Sequence, residues 1–241
     1  MTGPRFGFTL LAALAIAAFV ALGQWQWQRG QNKLERAAGY ARAQAQAASE
    51  PLASLLAGGR IQTAALPRRV HAEGRWSGPT VLLDNVVVEG RAGLRAFRAL
   101  ALADDRVQVL VDLGWMPWGA GRTLPALQPL PDPVRVEGLL APWPGQGIAL
   151  GSGNEQVIDA QRSLWVRLDR DAIAERIGGA ALIDAVLRLG PEAGFGYLRD
   201  LDPLAGTVPP ERHRAYAVQW FGLAATVAVI YGVLMWRTRR R

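Results

Sequence analysis

The sequence predicts a membrane protein in which two transmembrane α-helices flank a mainly antiparallel β domain of the α+β type. Residues 6–22 and 216–236 contain no charged side chain. As helices they are about 26 and 32 Å long, against a hydrocarbon core of roughly 30 Å. The chain between them is divided into short β-branched runs bounded by Gly, Pro and Asp, which is typical of strands and turns.

The composition excludes several classes of site and partner. The chain has no cysteine and two histidines, His71 and His213, so disulfides, thiolate metal sites, cysteine nucleophiles and multi-histidine metal cages are excluded. The net charge of +7 is concentrated at the two ends of the chain, with four arginines in residues 237–241. A nucleic-acid-binding protein concentrates basic charge on a folded face instead, so no nucleic-acid partner is expected.

The basic tail predicts the orientation in the membrane. Lysine and arginine are retained on the cytoplasmic side, so residues 237–241 place the C-terminus in the cytoplasm. With two spans the N-terminus is also cytoplasmic and the central domain is periplasmic, in a multi-pass protein of a bacterial inner membrane. Four basic residues follow the first span on the far side, but long loops are translocated with little regard to charge. These are Arg29, Lys33, Arg36 and Arg42.

Each span has an alternative interpretation. Small residues at Ala21 and Gly23 would suit a signal peptidase, so the first apolar run could belong to a cleaved signal peptide. The second run could be a buried core helix, although the arginines that follow it argue for a membrane span.

These observations divide the chain into five segments. Residues 24–57 are rich in helix formers, with Pro51 as a kink and Gly58-Gly59 as the end, and they predict a helical stalk. The segments are an N-terminal transmembrane helix at 1–23, the stalk at 24–65, a periplasmic β-rich domain at 66–212, a C-terminal transmembrane helix at 213–236 and a basic cytoplasmic tail at 237–241.

The β domain is predicted from short runs of strand-forming residues at 69–76, 81–88, 94–102, 107–113, 134–140 and 164–168. Alternation around Val109 predicts a strand with one face more buried than the other. Pro-rich residues 125–133 and 142–153 predict loops. Asp169 or Asp171 is expected to cap a helix at about 171–177, closed by Gly178-Gly179, and residues 182–189 fit either a strand or a helix.

The chain offers little that resembles an active site. Gly145, Gly147 and Gly151 do not form a dinucleotide fingerprint, because no strand-then-helix pattern surrounds them. Acid pairs in apparent turns are interpreted as solvated turn residues, namely Asp104-Asp105 and Asp200 with Asp202. His71 and Glu73 share a strand face, which permits a dyad but favours an exposed strand face. The protein is therefore not expected to be an enzyme.

One constellation suggests cofactor chemistry at the start of the second span. His213, Tyr216 and Trp220 are spaced to form one stripe of a helix, and Arg212 and Arg214 flank the histidine. An imidazole is a common axial ligand of haem iron, and arginines pair with propionates. The alternative is an interfacial anchor, because all three side chains favour the headgroup region. The pattern alone favours the anchor.

Three motifs in order resemble the Surfeit-locus-one family of haem-copper oxidase assembly proteins, over the whole chain. After the first span come Leu22, Gly23, Trp25, Gln26, Arg29 and Lys33, as in Leu-Gly-x-Trp-Gln-x-x-Arg-x-x-x-Lys. A Val-rich strand then ends in Gly-Trp-x-Pro, here Gly114, Trp115 and Pro117. Before the second span comes His-x-x-Tyr-Ala-x-x-Trp, here His213, Tyr216, Ala217 and Trp220.

The resemblance implies a non-enzymatic chaperone of the respiratory chain that assembles cytochrome c oxidase, binds haem a transiently and assists its insertion into the catalytic subunit. Its expected partners are that subunit, other assembly factors and membrane lipid. The implied haem-binding residues are His213, as the iron ligand, with Tyr216, Trp220, Trp25, Gln26 and Arg29. The two membrane borders are expected to meet, because both helices enter the same membrane side by side.

An alternative function is a membrane-tethered scaffold that binds an oxidase subunit through the β domain without carrying a cofactor. Its contact residues would be Gly114, Trp115 and Pro117. The same three residues also fit a turn with a core tryptophan.

Overall fold

The computed structural model describes residues 4–102, 106–144, 155–199 and 208–240. The chain forms two compact units. One combines Met1–Ala38 with Thr207–Arg241, and the other is Gly39–Gly206. We refer to them as the helical unit and the sheet unit. The acid pairs at 104–105 and 200/202 and the glycines at 145, 147 and 151 lie outside the described residues.

The helices of the described residues are α1 Pro4–Gln44, α2 Arg170–Ile177 and α3 Pro210–Arg239. Both α1 and α3 are long and apolar enough to cross a membrane, with a mean hydropathy of 2.3 and 1.8 in their most apolar stretches. Only 6% of each stretch is buried, so their leucine and valine side chains are largely exposed instead of forming a protein core.

In the helical unit, α1 and α3 pack against each other as an antiparallel pair. Near one end, Thr9 Oγ1 lies 2.8 Å from the hydroxyl oxygen of Tyr231. Further along, the Phe19 and Trp220 rings stack with centroids 5.7 Å apart. The helices approach closely because small residues line the contact, and glycine or alanine is buried there on both sides. These residues are Gly23, Gly30, Ala217 and Ala224.

The sheet unit contains the strands β1 Glu50–Pro51, β2 Leu56–Ala57, β3 Arg60–Ile61, β4 Arg68–Val88, β5 Arg91–Leu102, β6 Val107–Pro117, β7 Val134–Pro142, β8 Glu155–Asp159, β9 Arg162–Trp165 and β10 Ala181–Leu189. The main sheet has the order β5-β6-β10-β7-β4-β9-β8, with β1 added beside β4, while β2 and β3 form a separate hairpin. Most neighbours are antiparallel as expected, but three pairs are parallel, so the sheet is mixed.

Five strands close into a ring, because β4 pairs with β5 as well as with β7. The first part of β4 lies along β7 and the rest lies along β5, and Gly74 belongs to both registers. A Cβ atom at Gly74 would lie 1.9 Å from the carbonyl oxygen of Ala101. Only glycine allows the backbones to come so close where β4 changes partner.

Both faces of β6 are buried, in contrast to the prediction that one face is more buried than the other. Val109 and Val111 face one core cluster, whereas Leu110 faces a second cluster that includes Ile173 of α2. Gln108 is 1% exposed, and its Nε2 donates to the carbonyl oxygens of Gly178 and Ala180. The alternation in the sequence did not indicate that the second face is buried, because α2 and the residues after it cover that face.

Several boundaries differ from the sequence prediction. The predicted helix over 24–57 ends at Gln44, Pro51 lies in β1, and Gly58-Gly59 form the turn of the β2–β3 hairpin with positive φ. Leu52 is 1% exposed and packs in the main core, so tertiary packing overrides the helical propensity here.

Other elements of the sheet unit follow the sequence or resolve what it left open. The segments 69–76 and 81–88 join as β4, β8 was not predicted, and residues 182–189 lie in a strand. Asp169 caps α2 by accepting from the Ala172 N–H at 3.2 Å, and Gly178 with φ 68° closes it, as expected.

Candidate functional site

His213 lies in the first turn of α3, against α1. The helix begins at Pro210, which suits a first helical position, and this start brings His213 onto the face that packs against α1. The side chain is 9% exposed. Its Nδ1 atom lies 2.8 Å from Oε1 of Gln26, so the motifs that border the two apolar runs meet as the sequence predicted.

The two ring nitrogens of His213 have different surroundings. Since the neighbour of Nδ1 is an amide oxygen, which only accepts, a hydrogen bond between them requires the proton on Nδ1. In the neutral ring Nε2 then carries a lone pair. It is buried and has no hydrogen-bond partner among the described residues. A buried polar atom without a partner is unfavourable by about 1–3 kcal/mol, which marks this nitrogen as a candidate functional atom.

Positively charged side chains lie near His213 in the helical unit. Arg29 and Lys33 of α1 both interact electrostatically with His213. The guanidinium carbon of Arg29 lies 5.1 Å from the centroid of the Trp25 ring, and that of Arg214 lies 5.8 Å from the centroid of Trp27. Lys33 Nζ donates to the carbonyl oxygen of Val208, just before α3. The site therefore suits an anionic group beside the imidazole.

The predicted aromatic stripe is divided by the packing. Trp220 is partly buried against Phe19, on the same side of α3 as His213 and Ala217. Tyr216 is 48% exposed and lies to one side of this contact. Trp25 is 49% exposed on α1. The structure thus brings His213 into contact with Gln26, within electrostatic reach of Arg29. Trp220 lies two turns further along the same side of α3, and the other two aromatic rings are exposed.

Sequence reasoning missed Phe19 and Gly30 as residues that shape this site. A Cβ atom at Gly30 would lie 3.4 Å from Cβ of His213. The signal was present in the spacing, because Phe19, Gly23, Gln26 and Gly30 recur at three- and four-residue intervals and therefore share one helix face.

The family model described as the SURF1 family, which is the Surfeit locus 1 family, matches residues 13–225. The match includes most of α1, about half of α3 and all of the sheet unit. The chain belongs to the SURF1 family. Members of this family are known generally as oxidase assembly factors and not as catalysts. No curated protein is matched by the chain.

The Gly-Trp-x-Pro motif of this SURF1-family chain lies at the end of β6. Trp115 is 3% exposed, and its Nε1–H donates to the carbonyl oxygen of Val86 at 2.9 Å. Its backbone N–H donates to the Leu198 carbonyl oxygen, and its carbonyl oxygen accepts from the Leu198 N–H. Gly114 has φ 110°, and a Cβ atom there would lie 2.7 Å from the Leu198 carbonyl oxygen. The motif forms an irregular strand end around a core tryptophan, and Pro117 alone of its three named residues is exposed.

The remaining candidates of the SURF1-family chain have structural partners. His71 Nδ1 lies 3.0 Å from Ser49 Oγ, whereas Glu73 accepts from Arg135 Nη1 at 2.9 Å, so the two side chains have separate partners. Within the described residues no group of three or more His, Cys, Asp or Glu side chains could hold a metal ion.

A cavity of about 570 Å³ in the sheet unit is lined partly by Arg69, Arg135 and residues 190–195. Its two arginines are matched by acids, since Arg69 pairs with Glu137 and Arg135 pairs with Glu73. This balance of charge leaves the helical unit as the better candidate site.

Proposed function

We propose that this SURF1-family protein is a membrane-anchored assembly factor that binds haem a through His213 and assists its insertion into the catalytic subunit of a haem-copper oxidase. The observation that carries the proposal is the Nε2 atom of His213. It is buried, unpartnered within the described residues, and left with its lone pair by the hydrogen bond from Nδ1 to Gln26.

The residues present fit haem a as a cargo. An imidazole nitrogen with a free lone pair is the usual protein ligand of haem iron, and the iron supplies the acceptor orbital for it. Arg29 and Lys33 interact with the same imidazole, and cations of this kind pair with carboxylates such as haem propionates. The site therefore combines one candidate iron ligand with positively charged side chains around it.

Transfer to another protein requires reversible binding. His213 is the single histidine of the helical unit, and the other histidine of the chain, His71, already has a hydrogen-bond partner in Ser49. Because Nε2 of His213 is buried, neighbouring side chains must move aside before a macrocycle reaches it. Single ligation and a shielded ligand both favour a transient complex, as a carrier needs.

Membrane anchoring through α1 and α3 is supported by the surface of the helical unit. The apolar side chains of both helices are largely exposed, which is unfavourable in water and favourable in lipid. Trp25, Trp27 and Tyr216 are 49, 44 and 48% exposed at the ends of the uncharged runs, where aromatic rings meet headgroups. We place both termini in the cytoplasm and the sheet unit in the periplasm of a bacterial inner membrane, following the arginines after residue 236.

The alternative is a scaffold that holds an oxidase subunit without a cofactor. The burial of His213 against α1 favours it, because an interhelical hydrogen bond also explains why the ring lies there. It does not explain why Nε2 is left buried with no hydrogen-bond partner in the part of the chain that the structure describes, which is why we prefer the haem carrier.

The test is a haem a titration of the full chain purified in detergent, followed by the optical spectrum of histidine-ligated haem. We expect His213→Ala to abolish that spectrum, and His71→Ala, which removes the other imidazole, to leave it unchanged. An unaltered spectrum in His213→Ala would show that the ligand assignment is wrong. If the wild-type protein binds no haem while it still captures the oxidase subunit, the scaffold is the correct function.

A further inference from the structure

We infer that Gln26 is a positioning residue, which fixes His213 in the tautomer protonated at Nδ1 and so keeps Nε2 available as a ligand. The observation is the 2.8 Å contact between Gln26 Oε1 and His213 Nδ1, combined with the unpartnered Nε2 atom. The role of this hydrogen bond in haem binding rests on the proposed function, but the tautomer itself is a property of the protein without haem.

The surroundings favour one tautomer of the neutral ring. With the proton on Nδ1, the ring donates to the Gln26 amide oxygen and Nε2 keeps its lone pair. With the proton on Nε2, two lone pairs would face each other across the 2.8 Å contact, and a buried N–H group would lack an acceptor among the described residues. In water an unconstrained imidazole prefers the second tautomer, so Gln26 reverses the ordinary preference.

The backbone of α1 is built to let this amide reach the ring. Gly23 and Gly30 lie one turn before and one turn after Gln26 on the same helix face, and both are buried. A Cβ atom at Gly23 would lie 2.6 Å from the Phe221 ring, so a larger residue there would displace that ring.

The same helix provides a matched control. Gln28 lies two residues from Gln26, carries the same side chain and is exposed. Gln26→Leu removes the acceptor and keeps a similar volume, Gln28→Leu makes the identical change away from the site, and Gln26→Glu keeps an acceptor oxygen for Nδ1–H.

The direct test is ¹⁵N nuclear magnetic resonance of the haem-free full chain in detergent, labelled at histidine, at a mildly alkaline pH above the ordinary pKa of a free imidazole. The spectrum is simple because the chain has two histidines. His71, whose Nδ1 lies 3.0 Å from Ser49 Oγ in the sheet unit, provides an internal reference. We expect the ¹⁵N shifts of His213 to show a protonated Nδ1 and a bare Nε2 in the wild type, in Gln28→Leu and in Gln26→Glu.

In Gln26→Leu we expect the His213 signals to move toward the Nε2-protonated form, while those of His71 stay in place. A wild-type His213 protonated at Nε2, or a tautomer that Gln26→Leu does not alter, would overturn the inference. A hydrogen bond that only joins the helices would set the same tautomer, so the affinity for haem a is what distinguishes a positioning role from a structural one.

A second measurement separates this inference from the proposed function. Residues that orient a metal-bound histidine change affinity by roughly 10–100-fold when they are replaced, so Gln26→Leu should weaken haem a binding by that factor and Gln28→Leu should not. If the wild type binds no haem a while its tautomer depends on Gln26, the proposed function is wrong and the positioning assignment holds. If haem a binds equally well to the wild type and to Gln26→Leu, the assignment is wrong and the proposed function holds.

Discussion

The Oε1 atom of Gln26 and the Nδ1 atom of His213 are 2.8 Å apart, although 187 positions separate the two residues in the sequence. Each residue belongs to a motif that borders an apolar helix, and the packing of α1 against α3 brings the two motifs into direct contact. The His213 imidazole is thereby held by one nitrogen and left unpartnered, within the described residues, at the other.

The packing of α1 against α3 predicts a specific cross-link. A Cβ atom at Gly30 would lie 3.4 Å from Cβ of His213, close to the separation found in disulfides. We expect Gly30→Cys combined with His213→Cys to form an intramolecular disulfide, seen as protection from thiol alkylation until a reductant is added. The chain has no native cysteine to interfere.

The matched control for the cross-link is Gly30→Cys with Tyr216→Cys, because residue 216 lies on the exposed side of α3. That pair should remain open to alkylation. Full alkylation of the 30/213 pair under oxidising conditions would contradict the contact between the two helices at this level.

Truncation of Trp115 is expected to destabilise the sheet unit severely. The side chain is 3% exposed and hydrogen-bonded to the Val86 carbonyl group, so Trp115→Ala leaves a large cavity and an unpaired acceptor. Such changes decrease the free energy of unfolding by roughly 3–5 kcal/mol. Denaturant unfolding, followed by circular dichroism of the β structure, measures the effect.

A substitution at Pro117 distinguishes a structural role of the same motif from a role in binding a partner. It is exposed, so Pro117→Ala should alter the free energy of unfolding by no more than about 0.5 kcal/mol. If the motif binds an oxidase subunit, as the scaffold hypothesis holds, Pro117→Ala should reduce capture of that subunit by the purified protein. Undiminished capture would leave the motif with a structural role alone.

Gly114 should tolerate alanine far less well than another glycine of positive φ. Gly114 and Gly121 have φ values of 110° and 64°, so alanine is strained at both, by roughly 1–3 kcal/mol. At Gly114 the added Cβ would also lie 2.7 Å from the Leu198 carbonyl oxygen, whereas at Gly121 nothing lies within 4 Å. We expect Gly114→Ala to have the lower unfolding midpoint, and equal midpoints would argue against the close approach of residue 198.

The sheet unit should lose one stabilising ion pair in acid. Arg68 Nε donates to Glu50 Oε1 at 2.6 Å, and this hydrogen bond lowers the pKa of the Glu50 carboxyl group below its ordinary value of 4.5. A lowered pKa in the folded state means that the contribution is complete above 4.5 and disappears as the pH falls through the lower value.

Glu50→Gln tests this pair. The variant should be less stable than the wild type near neutral pH, and the two unfolding midpoints should converge in acid. A difference that stays constant with pH would show that the ionised carboxylate is not what stabilises the contact between β1 and β4.

Local patterns predicted the parts of the fold that depend on local physics. The uncharged runs predicted α1 and α3, and the two capping candidates Asp169 and Asp171 predicted a helix start at which Asp169 proves to be the cap. The meeting of His213 with the first border motif followed from a simple constraint, since two helices that run side by side bring their ends together.

The features that the sequence did not reveal depend on distant packing. Residues 45–57 have a helical composition, yet Leu52 is drawn into the core and the helix ends at Gln44. Tyr216 has the spacing of the His213 stripe, but the contact with α1 centres on Ala217 and leaves the phenol exposed. The role of Gln26 was also hidden, because a glutamine in a polar-aromatic motif does not reveal which atom it will face.

The closed ring of strands has a consequence for biosynthesis. In the ring β10 lies between β6 and β7, but it is made after both of them and is the last of the five strands to leave the ribosome. Until residues 181–189 emerge, the nascent chain carries two unsatisfied strand borders that can pair with other polypeptides. Synthesis that stops before this point should therefore yield an aggregation-prone intermediate, and the ring cannot close before residue 189 has been made.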